Sequence, residues 1–514
     1  MSRRLKVVIV KPSKYSKNGY VDRFKTGYMP NATLPHMRSL TPGQVGGTTV
    51  EIHSIDEYVQ TDLSYLRLLE KSSDPTLLAL VGVQSNQFHR ALDLAAYAKS
   101  KGMQNCIIGG PHAMTCDTLA AQGRGISFSL SEAETVWTEI LEDAEQGELK
   151  PIYGDQRRWQ PQLPDTVIQP PARADLDRYI IPMLGLAPVR GCPYTCNFCS
   201  VIKISGRQVR SGSIESTMQS LRLARAGGVE FIMFTSDNFN KYADAPELLQ
   251  AMIDEKLKLR FFVQCDTQIA RQEQLVQLLG KAGCFQMFVG VESFDRKTLL
   301  GVHKAQNQPA EYGRIVELCR QNGIMSHLSN IIGFPQDTLK SIDEHVDILC
   351  ELNPDVCTFW NLTPIPGTEQ YRDFMREGLL HEPNLDRYDC TCPTWHHPTL
   401  SPDVLDDAMY GCYRRFFTAR HFADYVRRNF EWKSPKSAKY SLFPMFIRYW
   451  ASKKRHPMSG GVGRVSLDTD ADYRALRRQT YDFDLAPLPA CLELSKEDEA
   501  INRQAKLAVA GARA

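Results

Sequence analysis

Cys192, Cys196 and Cys199 stand at the spacing C-x3-C-x2-C within Gly191-Cys192-Pro193-Tyr194-Thr195-Cys196-Asn197-Phe198-Cys199-Ser200. The apolar run from Ile181 to Val189 just before them reads as a buried strand, so the three sulfurs are expected on the loop leaving its C-terminal end. Three soft thiolates on one short loop suit an iron-sulfur cluster. A four-iron cubane held by three cysteines keeps one iron open to bind a substrate or cofactor, whereas a structural zinc site fills every position. A zinc loop completed by a distant residue and three unconnected buried cysteines are the competing readings. Cys390 and Cys392 with His396 and His397 form a second constellation, but C-x-C-x3-H-H is poor spacing for four metal ligands.

Length and charge narrow the classes. A chain of 514 residues exceeds one core and implies two or three domains. Its 61 basic and 59 acidic residues nearly cancel, without a long block of one sign, which argues against a nucleic-acid partner. Met1-Ser2-Arg3-Arg4 and the short stretch broken by Lys6 do not read as a signal peptide, and no apolar run approaches the roughly 18 residues of a membrane span. Fourteen scattered cysteines fit a reducing, cytoplasmic setting.

Strand-like runs Leu5 to Val10, Val50 to Asp56, Leu77 to Val83 and Asn105 to Ile108, with helical periodicity over His89 to Lys101, argue an α/β domain over residues 1–145 with a doubly wound, Rossmann-like parallel sheet. Its ligands belong beyond the carboxyl ends of the strands, where Gly82 to Gln87 and Gly109 to Met114 lie and paired glycines let the backbone approach a flat ligand. Residues 146–180, rich in proline, read as a linker. Over 181–385 six strands alternate with helices: the run before Cys192, then Glu230 to Phe234, Phe261 to Cys265, Gln286 to Val291, His327 to Ile332 and Val356 to Asn361. That is a partial (β/α)6 barrel of TIM type, with its site at the strand C-termini. Residues 386–514 are expected to be mostly helical, with an aromatic segment Ser437 to Lys454 packing on the barrel and a frayed tail beyond Lys496.

The cysteine spacing, with Phe198 before the third cysteine, resembles the signature of the radical SAM superfamily, in which the open iron chelates the amino and carboxylate groups of S-adenosylmethionine (SAM). An α/β domain ahead of that loop, with Gly109-Gly110-Pro111-His112-Ala113 and the acidic Ser131-Glu132-Ala133-Glu134, resembles the cobalamin-binding module of cobalamin-dependent radical SAM enzymes. Ser131 departs from the family's glycine. The D-x-H-x-x-G pattern of other cobalamin proteins is missing from the sequence, so His112 is not assigned to the cobalt.

The resemblance implies the site residues one by one. Cys192, Cys196 and Cys199 would hold a [4Fe-4S] cluster. Phe198, Asp237, Asn238, Gln264, Asp266, Glu292 and Ser293 would face SAM, with Asp237-Asn238 standing where the family has a Gly-Gly-Glu segment for the SAM amine and Glu292 near the ribose. Gln84, Ser85, Asn86, Gly109, Gly110, Pro111, His112 and Glu132 would line the cobalamin site. The implied reaction is methylation of an unactivated carbon or phosphorus centre through a 5′-deoxyadenosyl radical and methylcobalamin. A cobalamin-dependent cyclase, oxidase or rearrangement enzyme without methyl transfer is the alternative within the family, and a non-catalytic iron-sulfur or zinc protein the alternative outside it. The implied partners are a small-molecule or peptide substrate and an external one-electron reductant of flavodoxin or ferredoxin type.

Overall fold

A computed structural model describes residues 4–17, 19–118, 122–155, 159–429, 443–457 and 460–467. Within Arg4–Lys11 the apolar Leu5, Val7, Val8, Ile9 and Val10 are all fully buried, as a central parallel strand covered on both faces requires. Val7 and Ile9 pack with Trp137 and Ile140 of the helix Ala133–Gln146, while Val8 and Val10 pack with Ala91 and Ala95 of the helix Phe88–Ser100. The seven-stranded sheet runs in the order Gln44–Val45, Thr48–Asp56, Arg4–Lys11, Thr76–Leu80, Asn105–Gly109, Ser127–Ser129 and Ile152–Tyr153. All pairings are parallel except the edge hairpin of the first two. The winding direction reverses between Arg4–Lys11 and Thr76–Leu80, so the ligand crevice of a doubly wound sheet opens at their C-terminal ends. The last strand, Ile152–Tyr153, lies past residue 145, and Ile168 joins the core of the next unit, so residues 146–180 are more than a spacer.

The second sheet has six parallel strands whose spatial order follows the chain: Met183–Leu186, Phe231–Phe234, Arg260–Cys265, Cys284–Glu292, Met325–Ile332 and Val356–Asn361. The first and sixth strands do not pair with each other, which leaves the barrel open. Apolar faces of the helices Ile214–Ala226, Ala245–Asp254, Glu273–Ala282, Tyr312–Gln321 and Leu339–Leu352 cover its outside in one continuous core.

Helices Pro402–Phe416, Ala419–Asn429 and Phe443–Ser452 follow the barrel. Tyr413 of the first donates its hydroxyl to the Phe359 carbonyl and accepts the Phe359 N–H, both at 3.0 Å, tying it to the sixth strand. Ile447 and Ala451 are fully buried in the barrel-side core, so this part of the aromatic segment packs as expected. Residues 437–442 of that segment and the tail beyond Lys496 lie outside the described residues. The strand Val462–Val465 returns to pair antiparallel with Arg23–Thr26. No described helix is long and apolar enough to cross a membrane.

Candidate active site

The cysteine loop leaves the first barrel strand through Val189–Arg190, which pairs antiparallel with Arg210–Ser211. Gly191 has φ +98°, and a Cβ there would stand 2.1 Å from the Gln208 carbonyl oxygen, so only glycine makes this turn. Cys192 donates its N–H to Gly206 (3.2 Å) and Asn197 donates its N–H to Val302 (3.3 Å), while the Gln370 N–H bonds the Asn197 carbonyl (2.9 Å). The loop is therefore pinned from three sides. Burial pushes the Cys192 thiol up to about 12; it also raises Cys196 and Cys199, the latter further through its neighbouring cysteines.

Two side-chain amides point at these sulfurs. Asn238 Nδ2 lies 3.0 Å from Cys192 Sγ, and Gln306 Nε2 lies 3.6 Å from Cys196 Sγ. Asp237 is occupied by the loop itself, accepting the Gly191 N–H at 3.0 Å, and burial raises its pKa. Glu292, with φ +62°, ends the fourth strand and accepts from Lys304 Nζ at 2.5 Å. Lys304 also lies over the Phe198 ring, 5.7 Å from its centroid. Burial disfavours the Lys304 cation, but Glu292 and Cys196 outweigh it and raise its pKa.

The main cavity, of about 840 Å³, opens where the C-terminal ends of both sheets face each other. From the first sheet it takes Lys11, Gln84, Ser85, Asn86 and Pro111; from the barrel it takes Phe198, Thr235, Glu292, Ser329 and Trp360. The cysteine loop reaches it through Phe198 and Ser200 rather than through the cysteines. A second cavity of about 300 Å³ shares Ala32, Ile204 and Thr235 with the first and runs along Gly109, Gly110, Glu132, Arg190 and Asp237. Glu132 meets Arg190 at 3.1 Å and Arg210 at 2.8 Å, and Glu134 meets Arg190 at 2.6 Å, so the acidic segment of the first unit clamps the cysteine-loop hairpin of the second.

The sequence expectations are thus partly redistributed. Phe198 and Glu292 share the main cavity, but Asp237, Asn238, Gln264, Asp266 and Ser293 do not line it. Gln264 faces a separate cavity of about 180 Å³ inside the barrel. Asp266 caps the turn Thr267–Arg271 and sits 3.4 Å from Lys241, and Ser293 accepts the Asp295 N–H. His112 is buried, bonded through Nδ1 to Ser85 Oγ (3.0 Å) and stacked on Phe88, with burial lowering its pKa to about 3; it lines neither cavity. A Cβ on Gly110 would fall 2.2 Å from the Val83 nitrogen, so the packing of two loops on each other requires glycine here, and the same residue lines the second cavity. Cys390 lines the main cavity, whereas His397 Nε2 is taken by the Phe334 carbonyl, so the Cys390/Cys392/His396/His397 set does not assemble. Among the described residues, no three His, Cys, Asp or Glu side chains converge as ligands of one metal ion.

A family model described as the Radical SAM superfamily matches residues 186–349. Those residues form a radical SAM domain. Among curated proteins, the chain is 28% identical over 314 residues to bacteriochlorophyllide d C-12(1)-methyltransferase of Chlorobaculum tepidum, covering 58% of this chain and 65% of that protein. It is 24% identical over 373 residues to bacteriochlorophyllide d C-8(2)-methyltransferase of the same organism, covering 68% and 77%. The solved structure of the radical SAM methyltransferase TsrM from Kitasatospora setae, with cobalamin and a [4Fe-4S] cluster bound, aligns over 99% of this chain and all of that one at TM-score 0.63 and 16% identity. The cobalamin-dependent radical SAM enzyme OxsB, with aqua-cobalamin and SAM bound, aligns over 98% and 83% at TM-score 0.57 and 12% identity.

The radical SAM domain fits the group its family carries. Three thiols on one rigid loop, two of them already facing amide donors, are a donor set for a cluster whose thiolates gain hydrogen bonds. At the first sheet, Asn86 Oδ1 is buried in the cavity wall without a hydrogen-bond partner, an acceptor suited to a ligand rich in amide donors such as cobalamin. Sequence reading missed Lys304, Gln306, Arg190 and Arg210. Lys304 lies only 12 residues after Glu292 in the chain, and that proximity is the one signal that was available.

Proposed function

We propose that the chain is a cobalamin-dependent radical SAM methyltransferase that methylates an unactivated carbon or phosphorus centre of a small molecule or peptide. One observation carries the reading: a single cavity of about 840 Å³ is walled both by the C-terminal loops of a doubly wound sheet and by the strand ends of the radical SAM barrel. Each of those surfaces is where its fold binds a ligand. The methyltransferase names of the two relatives support the same class of chemistry.

When bound, the cluster and SAM supply a hydrogen-abstracting radical and cobalamin supplies the methyl group. The chain supplies the rest. Cys192, Cys196 and Cys199 would hold the cluster. Phe198 and Glu292 would meet SAM, with Lys304 balancing the carboxylate charge that otherwise would stand uncompensated in a buried wall. Gln84, Ser85 and Asn86 would meet cobalamin from the opposite side. Trp360, Leu362, Ile365 and Pro366 close the cavity with apolar surface, which excludes water from a reactive intermediate. An external one-electron reductant of flavodoxin or ferredoxin type and a reducing cytoplasm complete the reading. Anaerobic purification with cobalamin, then addition of SAM and reductant, tests it: bound cobalt, four irons per chain and SAM turnover are expected, and absence of cobalt binding overturns it.

A further inference from the structure

We propose that Asn238 and Gln306 are hydrogen-bond donors to the cluster thiolates and that they set its reduction potential; this rests on the reading that the three cysteines hold a cluster. The geometry separates Asn238 from the SAM role that its position in the chain suggests. Its amide lies 3.0 Å from Cys192 Sγ, and neither it nor Asp237 lines the main cavity. Gln306 makes the equivalent contact to Cys196 at 3.6 Å. Backbone N–H groups also reach the sulfurs, that of Tyr194 to Cys192 and that of Val201 to Cys199. Each of the three sulfurs therefore faces an N–H donor, two of them on side chains.

Both amides are held in place. Asn238 is buried and its main-chain carbonyl accepts the Lys241 N–H at 3.1 Å, closing the turn Phe239–Lys241 from which the side chain projects. The loop carrying Gln306 is fixed by the neighbouring Asn307, whose Nδ2 bonds the Gly290 and Val291 carbonyls at 3.0 and 2.9 Å. Adding an electron to a cluster increases the negative charge on its sulfurs. An N–H donor to sulfur thus bonds the reduced form more strongly than the oxidised one and raises the potential. Asn238 is buried, so water does not compete with its bond, whereas Gln306 is half-buried and acts more weakly.

The test is a redox titration of the reconstituted full-length protein, followed by the electron paramagnetic resonance of the reduced cluster. Asn238→Leu and Gln306→Leu should each move the midpoint to more negative potential, lowering the ratio of reduced to oxidised cluster at a fixed potential roughly tenfold, with the two shifts adding in the double variant. Asn238→Asp and Gln306→Glu should move it further in the same direction. Iron content and SAM affinity of the oxidised protein should stay within about twofold of the parent. Where Asn238→Leu loses iron, Asn238→Ser carries the same measurement. Unchanged midpoints at full iron loading would overturn the proposal, as would weakened SAM binding by Asn238→Leu without a shift. A parent protein that takes up no iron would overturn the cluster reading itself, a result separable from either.

Discussion

Glu292, which lines the main cavity, meets Lys304 at 2.5 Å and is held at φ +62°. A non-glycine residue in that conformation persists only where its surroundings fix it, here a register shift between Gly290 and Glu292 against the neighbouring strand. If the carboxylate meets SAM, Glu292→Ala should weaken anaerobic SAM binding about tenfold by calorimetry, roughly 1.4 kcal/mol. Lys304→Met leaves a buried carboxylate unpaired and should destabilise the fold more than the Glu292→Gln/Lys304→Met double variant does. Equal SAM affinity in wild type and Glu292→Ala would remove Glu292 from the binding site.

Replacing Cys192, Cys196 and Cys199 together by alanine should abolish the brown colour and iron content, while Cys390→Ala/Cys392→Ala should leave both unchanged. Colorimetric iron on anaerobically reconstituted protein reads the difference. Full iron loading in the triple variant would move the cluster elsewhere.

Gly110→Ala should lower stability by at least about 2 kcal/mol, because its Cβ would collide with the Val83 nitrogen at 2.2 Å and φ is +131°. Chemical denaturation of the metal-free protein measures this. Loss of cobalamin binding at unchanged stability would instead mean that the glycine makes room for the corrin.

How far the sequence was legible follows from the kind of signal each feature leaves. Val356–Asn361 has the bounds read from the sequence, since it is an apolar run ended by polar residues. Ser127–Ser129 and Ile152–Tyr153 are too short to carry a period, and the first unit was closed too early for that reason. The site was legible where chemistry is local, as in the cysteine loop. It was not legible where direction matters: periodicity does not say that Asn238 turns to Cys192 or that Gln306, 110 residues after Cys196, reaches its sulfur. Gly110 was read as facing a ligand and lines the second cavity, but the sequence did not show that backbone crowding also demands glycine there; nor did it show that His112 turns Nδ1 to the Ser85 hydroxyl.

Glu57 anchors the first unit, fully buried between Arg90 (2.5 Å) and Arg23 (3.2 Å). Burial alone would raise its pKa, but the two guanidinium groups overcome this and hold it at about 2. Because the folded value lies below the ordinary one of 4.5, the stabilisation is present above pH 4.5 and is lost as pH falls towards 2. Glu57→Gln should cost about 3 kcal/mol at pH 7 and flatten that acid limb in pH-dependent denaturation. An unchanged acid profile would assign the limb to other carboxylates.

The most direct test of the central claim is the fate of the SAM methyl group. Reduced protein reconstituted with iron, sulfide and cobalamin is incubated with methyl-labelled SAM, and the corrin and nucleoside products are separated. Label on cobalamin, with both S-adenosylhomocysteine and 5′-deoxyadenosine formed, is the predicted result; 5′-deoxyadenosine with no label on cobalamin would contradict the methyltransferase account.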